Sequence, residues 1–241
     1  MADLYSTFAQ AVKQGRLVGL ATIIAGPGIG QKLLIWPNGD TAGEFGTAQL
    51  TQQVVRRAQG AFAAQQTERF TLVTPAGDVE VFLEIHAELP KLIIVGAVHI
   101  AIALTTFGKA LGFRTIVLDA RSAFATPERF GHADELRIQW PADALPKIGL
   151  DESTYIVVLT HDEKIDNPAL AVALRSPARY VGALGSKKTH ARRVAALQEA
   201  GVTAAEIARI RAPIGISIGA RRPEEIAVSI IAEIVAVMNG G

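Results

Sequence analysis

The sequence predicts an α/β protein in which a doubly wound parallel sheet follows a smaller α+β domain. The first observation is a regular alternation of strand-like and helix-like segments from residue 89 onward, which is the pattern of βαβ units. The second is that the runs KLIIV, TIVL and YIVVL are almost entirely apolar, as strands covered on both faces must be. We therefore predict an α+β domain over residues 1–88 and a Rossmann-like domain over residues 89–241.

Periodicity and turn residues give the individual elements. The first domain is predicted to contain helices over residues 3–13 and 48–59, strands at 18–25 and 31–37, a turn at 38–40, and two strands around the turn 75–78. The second is predicted to contain strands at 91–95, 113–119, 133–138, 154–160 and 179–185, and helices over 99–111, 168–174, 186–200 and 223–238.

The composition indicates a globular protein with a substantial core. The 241 residues are 49% hydrophobic and 20% charged, and the net charge is +1. A net charge close to zero and an aromatic content of only 6% argue against nucleic-acid binding. The absence of cysteine excludes disulfides, thiolate metal sites and a cysteine nucleophile. We expect a cytoplasmic protein without a membrane span, because there is neither a signal-like start nor an apolar run of about 18 residues.

The turn after the first strand of the second domain is similar to a dinucleotide fingerprint. Gly96 follows the strand, His99 lies at the start of the next helix, and Asp119 comes 23 residues after Gly96, where an acid binds ribose in such folds. Val98 stands where a glycine would let a pyrophosphate approach the backbone. NAD(P) binding is therefore disfavoured, although Arg121, close to the acid, would suit a 2′-phosphate.

Polar residues follow the fourth strand of this domain. Thr160, His161 and Asp162 should face the crevice beyond the carboxyl ends of the strands, where open α/β sheets bind ligands. His161 beside Asp162 could shuttle a proton, and the alternative is that these residues cap the following turn. A metal site needs more ligands than this group supplies, so we predict none.

The segment RYVGALGSKKTHARR, residues 179–193, predicts an anion site. A strand leads through Gly182 and Gly185 to a helix whose N-cap would be Ser186. The first two turns of that helix add polar and cationic side chains, namely Lys187, Thr189, His190 and Arg193. Unpaired N–H groups and the positive end of the helix dipole favour an anion at such a point. The alternative is an ordinary solvated helix face.

A third glycine-rich segment, residues 212–222, precedes the last predicted helix, in which Pro223 takes the first position. Gly215, Gly219 and Arg221 lie in this segment. Because glycine loses much conformational entropy on folding, its repeated use indicates a backbone that must come close to a ligand or to another part of the chain. We therefore expect this segment to border the same crevice.

Five segments in order carry a family resemblance: GAVHIA, VLDARSAFATPERF, LTHDEKIDNPAL, RYVGALGSKKTHARR and PIGISIGARRPEEIAVSIIAEIV. Together, over about residues 69–238, they resemble the xanthine dehydrogenase accessory protein family, also called the XdhC/CoxI family. The resemblance implies a cytoplasmic, usually dimeric protein that binds the molybdenum cofactor (molybdopterin) and protects its sulfurated form. It also implies insertion of that cofactor into a molybdenum hydroxylase such as xanthine dehydrogenase.

The sequence departs from the family pattern mainly in its first domain. Residues 25–30 replace a Gly-Ser-x-Pro-Arg turn and lack its arginine, and residues 43–50 lack the cysteine of a glycine-rich segment. In the second domain, Val98 replaces a glycine and Arg222 stands where a capping threonine is common. These departures indicate a divergent family member.

The function expected from these observations is a chaperone that binds the phosphate of a pterin cofactor without catalytic turnover. Asp119 and Arg121 are expected to recognise polar edges of that ligand. The alternatives are an NAD(P)-dependent oxidoreductase and a degenerate family member that binds a hydroxylase through its surface without a ligand. The predicted cofactor-binding residues are Gly96, His99, Asp119, Arg121, Thr160, His161, Asp162, Gly182, Gly185, Ser186, Lys187, Thr189, His190, Arg193, Gly215, Gly219 and Arg221.

Overall fold

The computed structural model describes residues 4–13, 15–86 and 89–240, apart from the side chains of Lys13 and Lys187. The chain divides into two compact units, Met1–Leu89 and Pro90–Gly241. Among the residues described, no helix combines the length and the apolar character needed to cross a membrane.

The first unit is an antiparallel sheet with a helix on each face. Its helices are α1 (Leu4–Lys13) and α2 (Ala48–Ala64). Its strands are β1 (Val18–Ala25), β2 (Lys32–Ile35), β3 (Thr41–Glu44), β4 (Glu68–Thr74) and β5 (Gly77–His86). They pair in the order β3-β2-β1-β5-β4. Buried residues of α2, among them Val54 and Phe62, pack on one face, whereas α1 packs through Ala11 on Val18 and Leu34 of the other.

The second unit is a parallel six-stranded sheet. Its strands are β6 (Lys91–Val95), β7 (Arg114–Leu118), β8 (Glu135–Arg137), β9 (Thr154–Val158), β10 (Tyr180–Ala183) and β11 (Ile210–Arg211). Its helices are α3 (His99–Ala110), α4 (Pro127–Phe130), α5 (Pro141–Ala144), α6 (Glu163–Arg175), α7 (Lys187–Glu199), α8 (Ala204–Ile207) and α9 (Pro223–Met238), with a 3-10 helix at Leu145–Lys147.

The strand order β11-β10-β9-β6-β7-β8 reverses between β6 and β9, which is the Rossmann order with its topological switch point. Helices α3 and α9 cover one face, and α6, α7 and α8 cover the other. The strand side chains alternate between these two cores, so that Ile93 and Ile156 face α6 while Leu92 and Val157 face α3. This arrangement confirms the predicted fold class and explains the apolar strand sequences.

Some elements differ from the sequence-based predictions. Strand β3, which pairs with β2, was not predicted because TAGE has no alternation of apolar and polar residues. Helix α2 continues to Ala64, beyond the predicted end at residue 59. Helix α6 begins at Glu163 rather than near Pro168, which lies inside it. Residue 3, the first residue of the predicted N-terminal helix, lies outside the described residues.

The N-cap of α2 offers a test of the first unit. Thr47 accepts a hydrogen bond from the backbone N–H of Leu50 through its side chain, at 3.2 Å. Thr47→Ala should lower the free energy of unfolding by about 1 kcal/mol, because that N–H loses its acceptor. Urea denaturation provides the measurement, and Thr47→Ser, which keeps the hydroxyl, should stay close to the unmodified protein. Equal losses in both variants would contradict the capping role.

Candidate functional site

The central strands of the second unit end together at one edge of the sheet. Val95 pairs in register with Leu118 on one side and with Val158 on the other, and Val158 pairs with Ala183. The residues that follow these four strand ends therefore lie side by side. They include the predicted site residues Gly96, Asp119, Thr160 and Gly185.

Asp119, after β7, is fully buried and bonded entirely within the protein. Its carboxylate accepts hydrogen bonds from the backbone N–H of Ala97 at 2.8 Å and of Arg121 at 2.9 Å. The Arg121 guanidinium donates to both carboxylate oxygens, at 2.9 and 2.8 Å, and lies 4.5 Å from the ring centre of Phe124. Burial alone would raise the pKa of Asp119, but the hydrogen bonds from Arg121 and Ala97 outweigh burial and lower it.

This pairing changes what Asp119 can offer a ligand. Both carboxylate oxygens are occupied, so binding ribose through Asp119 would require one of these internal bonds to break. The recognition of ligand edges by Asp119 and Arg121 stays a prediction. What the structure shows is an ion pair between the buried Asp119 and the half-buried Arg121, and Asp119 also fixes the turn after β6 to the end of β7 through Ala97.

The turn after β6 brings backbone close to β9. Gly96 has φ +111°, and a Cβ there would stand 2.7 Å from Cγ2 of Thr160. Only glycine fits this approach without strain. Val98 is the N-cap of α3, and among the described residues no side chain caps that helix end. His99 is exposed at the first position of the helix.

Thr160, at the end of β9, leads into a buried polar network. Its hydroxyl donates to Asp166 Oδ1 at 2.5 Å and accepts from the backbone N–H of Asp162 at 3.0 Å. Asp162 in turn caps α6 by accepting from Lys164 N–H at 3.0 Å. Asp162 therefore has the capping role that the sequence offered as the alternative to proton transfer. His161 is exposed and has φ +63°, which is uncommon for a residue with a side chain.

Asp166 and Arg193 form an ion pair across α6 and α7 in which both side chains are almost completely buried, at 1% and 4% exposure. Arg193 Nη2 lies 3.4 Å from Asp166 Oδ2 and donates to the carbonyl of Leu184 at 3.1 Å. Burial raises the pKa of Asp166, and the hydrogen bond from Thr160 and the charge of Arg193 offset only part of this rise. Burial and the charge of Arg193 lower the pKa of His190, which favours a neutral imidazole.

The turn between β10 and α7 lies over this pair. Gly185 has φ +148°, and a Cβ there would stand 3.3 Å from Thr189 and 3.8 Å from Arg193 Nη1. Ser186 is the N-cap of α7, as predicted, and accepts from the backbone N–H of Thr189 at 3.2 Å. The hydroxyls of Ser186 and Thr189 are 3.1 Å apart. Of Lys187, only the backbone position at the start of α7 is described.

Unsatisfied polar atoms concentrate at this turn and its neighbour helix. In the described part of the chain, the buried side-chain atoms without a hydrogen-bond partner are Asn167 Oδ1, His190 Nδ1, Arg193 Nε and Arg193 Nη1. All four belong to α6 and α7, which carry the buried ion pair. Buried polar groups are nearly always paired, so these atoms on α6 and α7 have hydrogen-bonding capacity that a water, an ion or a ligand could use.

Two of the remaining predicted glycines, Gly182 and Gly215, fill packing roles. A Cβ on Gly182, which lies inside β10, would stand 2.5 Å from Ile214 Cδ1 and 2.6 Å from the hydroxyl of Tyr180. Gly215 would bring a Cβ to 2.5 Å from Ser229 Oγ, and its N–H donates to Glu233 at 2.9 Å. Close packing thus accounts for both glycines, and ligand binding by either stays a prediction.

The rest of the third glycine segment is open to solvent. Gly219 and Arg221 are exposed, and no heavy atom of the described residues lies within 4 Å of a Cβ placed on Gly219. The backbone N–H of Arg221 donates to Glu225 at 2.9 Å. The structure therefore does not bring these two side chains into the buried network.

Sequence reasoning noted Asp166 near the crevice but did not include Asp166 or Glu233 among the predicted site residues. Asp166 was not selected, although it lies four residues after the capping Asp162 and so on the same side of α6. The pair of Tyr180 with Glu233 was also missed. Burial and this hydrogen bond raise the pKa of Tyr180, and no local pattern connects residues on β10 and α9.

The Asp119 pair generates a prediction about acid stability. At pH 7, Asp119→Asn should lower the free energy of unfolding by about 1.5 to 3 kcal/mol for each charged hydrogen bond lost. Because the pKa of Asp119 is lowered by folding, its contribution is complete above the unfolded pKa of about 3.9 and is lost as pH falls through the folded pKa. Urea denaturation at several pH values should show the difference between the two proteins shrinking below about pH 4. A difference that does not change with pH would contradict the proposed ionisation.

The same pair predicts poor binding of nicotinamide dinucleotides. Val98 occupies the N-cap of α3, and Asp119 has both oxygens bonded internally. NADH and NADPH should therefore bind with dissociation constants weaker than about 100 μM in calorimetric titrations. Val98→Gly alone should not restore micromolar binding, because Asp119 would remain paired with Arg121. Micromolar binding to the unmodified protein would support the oxidoreductase alternative.

Sequence comparisons match most of the chain to one family. The XdhC Rossmann domain matches residues 92–234, and the XdhC and CoxI family matches residues 11–74. The uncharacterized protein YqeB of Escherichia coli (strain K12) is 31% identical over 68% of this chain and 30% of its own length. The molybdenum cofactor insertion chaperone PaoD of the same organism is 33% identical over 54% of this chain and 43% of its own length.

A protein of Bacillus subtilis (strain 168), named as a probable xanthine dehydrogenase subunit, is 32% identical over 61% of this chain and 42% of its own length. The chain thus spans less than half the length of these curated relatives. A crystal structure described as a xanthine dehydrogenase from Bacillus halodurans matches with a TM-score of 0.58 and 21% identity, covering 97% of this chain and 95% of that one. That likeness concerns the fold. Because the XdhC Rossmann domain matches more than half of the chain, this protein belongs to the XdhC family.

Proposed function

We propose that this protein binds the molybdenum cofactor through its phosphate at the turn between β10 and α7 and delivers it to a molybdenum hydroxylase. The observation that carries the proposal is the buried guanidinium of Arg193. It is 4% exposed, and its Nε and Nη1 atoms have no hydrogen-bond partner among the described residues. An arginine stays protonated at all relevant pH values, so these unmet donors favour an anion.

The residues around Arg193 fit a phosphate. Arginine donors form a fork that matches phosphate oxygens, and charge-assisted hydrogen bonds of this kind are among the stronger ones in proteins. A Cβ on Gly185 would lie 3.8 Å from Nη1, so the turn backbone passes close to the guanidinium. The 13-residue helix α7 begins there with Ser186 as N-cap and no acidic residue in its first turn, so its dipole also favours negative charge.

The family relationship supports the identity of the anion. The relative PaoD is named a molybdenum cofactor insertion chaperone, and the Bacillus subtilis relative is named a probable subunit of xanthine dehydrogenase. Delivery to a hydroxylase client is proposed by analogy with these proteins, of which this chain covers less than half. The cytoplasmic location and the homodimer implied by the family resemblance remain predictions.

Arg193→Lys tests the phosphate cradle. Lysine retains a positive charge beside Asp166, whereas alanine would leave that carboxylate buried and unpaired, at a large cost in stability. Arg193→Lys loses the planar fork of guanidinium donors. Its affinity for molybdenum cofactor released from a purified hydroxylase should therefore fall about tenfold or more. The matched control is Arg192→Lys, because Arg192 is the neighbouring residue, is exposed and pairs with Glu163 at 3.2 Å.

Binding is measured by quenching of pterin fluorescence or by calorimetry, and thermal melting shows whether each variant is folded. The unmodified protein purified from cofactor-producing cells should also release an oxidised pterin when it is denatured. If Arg193→Lys binds as tightly as Arg192→Lys, the cradle at Arg193 is absent. If no pterin is released or bound, the preferred interpretation is a protein that binds a hydroxylase through its surface without a ligand.

A further inference from the structure

A cavity of about 550 Å³ lies within the first unit, next to the start of α2. It is bordered by the loop between β1 and β2, by the first residues of α2, and by the turn between β4 and β5. Its volume is in the range of sites that bind small organic molecules. The buried side chains of Leu50 and Val79, together with Pro75, provide apolar walls.

None of the described residues that line this cavity has a titratable side chain. Two threonines of the lining use their hydroxyls internally, since Thr47 caps α2 and Thr74 donates to the carbonyl of Gly77 at 2.7 Å. The polar side chains left to meet a ligand are the carboxamides of Gln31, Gln49 and Gln53. The cavity thus offers neutral donors and acceptors but no countercharge for an ion.

Gln31 is held in one orientation. Its Oε1 accepts the backbone N–H of Gly46 at 2.6 Å. A Cβ on Gly28 would stand 3.0 Å from the same oxygen, so the carboxamide fits closely against that turn. With the oxygen engaged, the Nε2 amide group is left to donate. A fixed donor of this kind preorganises a site, because little side-chain entropy is lost on binding.

Gln49 and Gln53 are four residues apart and therefore lie on one face of α2. Each carboxamide offers a carbonyl acceptor beside an N–H donor. The acceptor and donor of one carboxamide therefore complement a ring edge that presents N–H beside C=O. Glutamine forms two hydrogen bonds with a nucleobase edge in the same way. The first turn of α2, Ala48–Thr51, has no acidic residue, so its dipole favours a carbonyl oxygen.

The lining is also where this chain departs from its family. Both segments that differ from the family pattern in the first unit, residues 25–30 and 43–50, contribute residues to this cavity. An arginine and a cysteine expected there are absent. The polar side chains available in the cavity lining are amides.

We propose that this cavity binds an uncharged, planar nitrogen heterocycle with lactam edges, that is, adjacent ring C=O and N–H groups. A free oxopurine base and the pterin ring system both have this chemistry. The apolar walls would contact the ring faces, and the three carboxamides would bond to its edges. This proposal concerns the first unit alone and does not depend on the phosphate cradle at Arg193.

The test uses hypoxanthine and unsubstituted pterin, neither of which carries a phosphate. Calorimetric titration of the full chain should show binding of at least one of them. The double variant Gln49→Leu, Gln53→Leu should weaken that binding about tenfold, since each lost neutral hydrogen bond is worth about 0.5 to 1.5 kcal/mol. The matched control is Gln59→Leu, an exposed glutamine of α2 outside the cavity lining, which should bind like the unmodified protein.

Tighter binding of hypoxanthine or of pterin shows which of the two ring systems the cavity recognises. Thermal melting checks folding, and if the double variant is less stable, each single variant is titrated instead, with about threefold weakening expected. Arg193→Lys should leave this binding unchanged, so failure here is distinguishable from failure of the phosphate cradle. The proposal is overturned if neither compound binds at about 1 mM, or if the glutamine variants bind as tightly as Gln59→Leu.

Discussion

The buried pair of Asp166 and Arg193 is the interaction on which the candidate site depends. Charges with 1% and 4% exposure must be paired, because desolvation otherwise costs several kcal/mol for each ion. The hydroxyl of Thr160 completes the bond set of Asp166 from the end of β9, and the carbonyl of Leu184 receives Arg193 beyond β10. Two strand ends and two helices are thereby fixed around one guanidinium.

The Rossmann unit has two buried acids that pair with an arginine, and the two pairs differ in how completely their polar atoms are hydrogen-bonded. Both oxygens of Asp119 are bonded to Arg121 and to the backbone N–H of Ala97. At Arg193, by contrast, two of the three guanidinium nitrogens have no partner among the described residues. The first pair therefore serves the fold near β6 and β7. The unmet donors of Arg193 support the proposed anion site at α7 rather than a site at the dinucleotide position.

The two units offer different chemistries for recognition. The second unit presents a buried cation and a helix N-terminus under a glycine turn, which suits a phosphate. The first unit presents carboxamides and apolar walls without charge, which suits a neutral ring. The two proposed sites would therefore recognise an anionic group and an uncharged heterocycle by different chemistry.

The sequence by itself determined the parallel sheet, because apolar runs alternate with helical segments, and it located Ser186 as an N-cap and Gly185 as a turn residue. These features depend on local periodicity and local backbone geometry. Only the tertiary structure decided that Asp119 forms an ion pair with Arg121 and that Asp166 forms one with Arg193. It also decided that a side chain at Gly182 would clash with Ile214 and Tyr180. Strand β3 likewise became visible only through its pairing with β2. These contacts depend on which groups folding brings together and on their burial, which determines whether a polar group is satisfied or left to bind a ligand.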